Sequence, residues 1–83
     1  MKPLTQYGRL AERHWRQFCP KLVAALQAEG RLREMLLQAE EKTDEELDLL
    51  CRHFLRQGLT AQQAHDRAWE MVRERYIFLP PEN

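Results

Sequence analysis

From Leu32 to Gln57, between Gly30 and Gly58, the chain carries an apolar repeat that fits only one kind of element. At 100° per residue, Leu32, Leu36, Ala39, Thr43, Leu47, Leu50 and Phe54 fall within about 80° of one another, which is one stripe on one long helix. Glu34, Glu41, Asp44, Glu45 and Asp48 occupy the other side, so that side faces water and the stripe faces protein. At 1.5 Å per residue the helix is about 40 Å long, too long for one short partner to cover, so the remaining segments pack along it. Thr43-Asp44-Glu45-Glu46 reads as a capping box and offers a break at Thr43. The apolar positions stay in phase across it, which favours a continuous helix.

The flanking segments are helical too. Thr5 is placed to cap a first helix in which Tyr7, Leu10, Ala11, His14, Trp15 and Phe18 share one side and Arg9, Arg13 and Arg16 the other. Cys19 precedes Pro20, which ends that helix and suits the first position of a second one, with Leu22, Val23, Ala25 and Leu26 inward. Gly30 fits the stop of the second helix. Gly58-Leu59-Thr60 closes the long helix and, with Gln63, opens the last one through a capping box. In that last helix Ala61, Ala64, His65, Ala68, Trp69, Val72 and Tyr76 share a side, and its alanines allow close helix approach. Pro80 and Pro81 stop any helix. The expectation is an all-α fold: a small antiparallel bundle of three to four helices around one long central helix. Its helices run over about 5–18, 20–29, 31–57 and 61–76, with an extended end over 77–83, in one helical domain spanning 1–83.

Charge is zero overall but unevenly spread. Residues 1–33 hold seven Lys or Arg against two Glu, residues 34–48 one Lys against seven acids, and the remainder five bases against four acids. A basic front therefore coexists with an acidic middle, and zero net charge does not exclude an anionic partner. Arg9, Arg13 and Arg16, extended by Lys2 and Lys21, form the candidate surface for nucleic acid, because guanidinium groups on one helix side suit successive phosphates. Pairing with the acidic side of the long helix is the competing use of the same residues. Leu37, Leu49 and Leu55 fall off the main stripe, and Tyr76, Ile77, Phe78 and Leu79 are four consecutive large apolar residues; these seven are candidate partner-docking positions.

The chain lacks signals for chemistry. Cys51 and His53 point about 200° apart on a helix, and His14 and Cys19 straddle a proline, so neither pair has metal-ligand spacing. No Ser or Cys lies in a nucleophile elbow and no glycine-rich phosphate loop is present, so neither an enzyme nor a cofactor is expected. Two cysteines are too few for a disulfide scaffold, and no segment reads as a signal peptide or membrane span, so a cytoplasmic location is expected.

The Tyr7-Gly8-Arg9 triplet, Pro20 thirteen residues after the tyrosine, Gly30 ten further on, Leu22, Leu26 and Leu32, and the end from Ala68-Trp69-Glu70 to Tyr76-Ile77-Phe78 together resemble the TnpV family, small accessory proteins encoded in bacterial transposons and other mobile elements. The resemblance spans about seven-tenths of the chain. It implies a setting in mobile elements; the off-stripe leucines and the apolar end over 76–79 add the expectation of a protein partner, either a recombinase or a second copy of the chain, and the arginine stripe gives a DNA-binding excision or regulatory factor as the alternative.

Overall fold

The computed structural model describes residues 3–82. Four helices follow in order, α1 (Gln6–Phe18), α2 (Pro20–Ala28), α3 (Leu32–Arg56) and α4 (Ala61–Tyr76), and no strand occurs among the described residues. The all-α fold around one long helix that the periodicity predicts is the fold observed. Helix α3 runs unbroken through Thr43, and the reason is local: the Thr43 side chain is fully buried and its hydroxyl donates back to the Ala39 carbonyl at 2.8 Å. A side chain turned back onto the preceding turn in this way is aimed away from the following N–H groups that it would have to accept from to start a new helix.

Both α2 and α3 end on a glycine with positive φ, 69° at Gly30 and 98° at Gly58. In each case the two N–H groups beyond the helix fold back onto its last free carbonyls: Arg31 N to Leu26 O and Gly30 N to Gln27 O, then Leu59 N to Phe54 O and Gly58 N to Leu55 O. Thr60 then opens α4, accepting from Gln63 N at 3.2 Å while its own N–H donates to the Gln63 side chain at 3.0 Å. So tight a reversal lays α4 antiparallel on α3.

Two apolar clusters lie end to end along α3. The first joins Ala11, Trp15, Cys19, Val23, Leu26, Leu32, Leu36, Ala39 and Ile77, taking residues from α1, α2, the first half of α3 and the segment after α4. The second, Leu47, Phe54, Ala64, Ala68 and Val72, belongs to α3 and α4 alone. Tyr7, Trp69 and Tyr76 pack against both. The resulting shape is flat, with principal extents of 46 × 33 × 14 Å and a radius of gyration of 14.3 Å. A compact chain of this length would have about 12 Å.

Candidate functional site

The segment after α4 is an intramolecular strap. Ile77 is fully buried in the first cluster. Three side chains of α1 and its end hold three carbonyls of the strap: Trp15 Nε1 donates to Ile77 O at 3.1 Å, His14 Nε2 lies 2.8 Å from Leu79 O, and Cys19 Sγ lies 3.5 Å from Pro80 O. A carbonyl only accepts, so the His14 contact requires the ring proton on Nε2. Glu82 completes the strap by accepting from Lys21 N and Leu22 N at 2.9 and 3.0 Å, two of the amides that Pro20 leaves open at the start of α2. Burial, with the Glu82 carboxylate adding to it, pushes the Cys19 thiol above its ordinary range.

A second polar contact crosses the first cluster. Glu40 is 2% exposed, and its Oε2 accepts from both the N–H and the hydroxyl of Thr5, at 2.8 and 2.9 Å. Thr5 therefore does not cap α1 with its own side chain; α3 supplies an oxygen at the positive end of α1 instead. Gly8 is the residue that permits this approach, since a Cβ there would overlap Glu40 Oε2 and come within 2.9 Å of Leu4 Cδ2. The other oxygen, Oε1, is buried with no hydrogen-bond partner among the described residues. In the Tyr7-Gly8-Arg9 triplet, Gly8 makes room for Glu40 and Tyr7 packs on Trp69 with ring centroids 5.3 Å apart.

Beside the strap lies an open groove of about 330 Å³ between α2, α3 and the end of α4. Its floor and walls are apolar, formed chiefly by Trp15, Leu22, Leu26, Met35, Ala39 and Leu79, and Gln38, Lys42 and Arg75 also line it. Arg75 is tied to Glu46 at 3.1 Å, and the same carboxylate accepts from the Tyr76 hydroxyl at 3.0 Å. That hydrogen bond, with burial second, raises the Tyr76 phenol above its ordinary value. Lys42 is exposed and has no ion pair among the described residues. The groove has the size and the mix of apolar wall and few polar groups that binding clefts share.

The remaining candidate residues are dispersed. Arg9, Arg13, Arg16 and Lys21 are all exposed, and no ion pair among the described residues joins the arginines to the acidic side of α3. Arg9 donates to Leu4 O at 3.3 Å and Arg16 pairs with Glu12 on its own helix at 2.8 Å, while Arg13 has no partner among the described residues. Lys2, counted with this stripe, lies outside the described residues. Leu37 is half-buried, and Leu49 and Leu55 are 63% and 47% exposed. These three leucines do not share one flank of α3: Leu37 and Leu55 project about 120° away from Leu49. Of the terminal four, Ile77 is consumed by the chain's own core, and Tyr76, Phe78 and Leu79 are half-buried against it. Ile77 is thus removed from the partner-facing set, because docking of this end is intramolecular.

Glu40 and Glu82 are the side chains at the joints between elements that sequence reading passes over. Glu40 sits about 80° from Leu32, at the edge of the apolar stripe and not among the other acids, which is a signal of a buried partner. Among the described residues no group of His, Cys, Asp and Glu could hold a metal ion, and no helix is long and apolar enough to cross a membrane. Comparison of the chain with protein-family models, with curated proteins and with solved structures finds no match.

Proposed function

We propose that this chain is a non-enzymatic accessory protein of a bacterial mobile element, working in the cytoplasm through protein–protein contact. The observation that carries this reading is the apolar groove between α2, α3 and α4, which the chain's own strap borders but leaves open. The TnpV resemblance supplies the setting. Within that setting, a recombinase of the same element and a second copy of the chain are the two partners that an open apolar surface suits. The test is capture of that recombinase by the tagged chain and loss of capture with Met35→Glu, which places a charge in the wall of the groove. Retention of a native circular-dichroism melt by the variant makes the result interpretable; capture that ignores the substitution counts against the groove.

A second reading, direct DNA contact by Arg9, Arg13, Arg16 and Lys21, is favoured by one observation: Arg13 stands exposed without a partner among the described residues. On this reading affinity falls steeply with salt, and Arg13→Ala lowers the slope of log affinity against log salt by about one. Arg16→Ala has a smaller effect, because that guanidinium is already engaged by Glu12. Absence of binding at low salt removes this reading.

A further inference from the structure

The groove has a feature that a generic apolar cleft lacks. Its four α3 residues, Met35, Gln38, Ala39 and Lys42, stand at i, i+3, i+4 and i+7. Four residues so spaced form the hole into which one side chain of a facing helix inserts in knobs-into-holes packing. The same flank of α3 carries the knob. Leu49, 63% exposed and the most exposed large apolar side chain among the described residues, lies one heptad beyond Lys42, so Met35, Gln38, Lys42, Glu45 and Leu49 follow each other at alternating steps of three and four along one seam.

From this we infer that the groove receives Leu49 of a second copy of this chain, in a two-fold dimer with the α3 helices antiparallel. A two-fold axis between Lys42 and Glu45 sets Gln38 of each protomer opposite Leu49 of the other, which centres each leucine over the other protomer's hole. The same axis sets each Lys42 opposite the other copy's Glu45, so two opposite-charge pairs close at the centre. The surface is self-complementary, as an isologous contact requires. Lys42 and Glu45 are both exposed and neither has an ion pair among the described residues, so the pairing breaks nothing already made. Asp48, at the edge of the seam, is held by Arg52 at 2.8 Å, which offsets its repulsion of Glu41 across the axis. The centre of the core stripe of α3 lies about 120° from this seam, with Ala39 on the border of the two. The monomer's exposed surface of 5766 Å² also exceeds the about 5,200 Å² that a compact protein of this mass presents.

The inference rests on the protein-contact reading and is tested on the full chain by sedimentation equilibrium, with no added ligand. The expected mass is twice 10.0 kDa at high protein concentration, dissociating on dilution. Leu49→Gln weakens the dimer by about tenfold or more, and its thermal melt in the monomeric range is unchanged because the side chain touches little within one copy. Lys42→Glu and Glu45→Lys each weaken it by about tenfold, and the double exchange restores it. A strict monomer overturns the inference, as does a dimer indifferent to Leu49 or to the charge exchange. If the monomer still captures a recombinase through Met35, only the inference falls; if it neither self-associates nor captures, the protein-contact reading falls with it.

Discussion

The two halves of α3 are stabilised by different means. Around its first half, α1, α2 and a strap converge, and polar groups cross the apolar cluster at defined atoms: Glu40 to Thr5, Trp15 to Ile77, Glu82 to the start of α2. Around its second half one antiparallel helix suffices, with the fully buried Ala64, Ala68 and Val72 letting α4 lie close. The difference follows from sequence distance. A tight turn brings α4 to α3 without further instruction, whereas the first cluster collects residues from both ends of the chain and needs directional contacts to fix how they meet.

The largest test of this contrast is Trp15→Ala. It removes a large buried ring and its hydrogen bond to the strap, and is expected to cost about 4 kcal/mol in urea unfolding. Because Tyr7, Trp69 and Tyr76 touch both clusters, hydrogen exchange should report the loss in α4 as well as in α1. Native protection of α4 in that variant would show the halves to be independent. Gly8→Ala comes next, at about 2 kcal/mol, since the added methyl displaces Glu40 and costs more than the gain in helix propensity returns. In a Glu40→Ala background the same change should cost clearly less, with only Leu4 left to shift, and a double-mutant cycle with no coupling would refute the Glu40 contact. In the hairpin, Thr60→Ala removes the capping box and is expected to cost about 1 kcal/mol, again by urea unfolding.

The halves were not equally legible in the sequence. The hairpin could be read almost completely, because Gly58, Thr60, Gln63 and the alanine stripe are local signals whose consequences stay local. Continuity through Thr43 was legible from phase, although the hydroxyl bond to Ala39 that explains it was not. In the first half the helices were visible but their joints were not: nothing near Thr5 announces that its cap comes from Glu40, thirty-five positions on, and nothing near Pro20 points to Glu82. Short-range patterns cannot encode such pairings. The seam on α3 was hidden for another reason. Leu49 is visible as an off-stripe leucine, but its match to the hole at Met35 to Lys42 needs the walls that α2, α4 and the strap provide.

The smallest expected effect is on pH dependence. Tyr76 and Cys19 both have raised values in the folded chain, so the unfolded chain gives up these protons first and binds fewer of them in the alkaline range. Their contribution is complete below about pH 7, where neither group has titrated in the unfolded chain, and is lost as pH rises through the folded values. Thermal melts recorded between neutral and alkaline pH should fall less steeply for Tyr76→Phe and for Cys19→Ala than for the unaltered protein. An unchanged slope in Tyr76→Phe would deny the phenol's bond to Glu46 any part in stability.

The long reach of Glu82 bears on how the polypeptide matures. Lys21 and Leu22 emerge from the ribosome early, yet the acceptor for their amides is made some sixty residues later. The start of α2 therefore cannot gain these two bonds until Glu82 has been made. A nascent chain arrested before Ile77 should consequently hold α1 and α2 only loosely, because the strap that joins them to the first cluster is still missing.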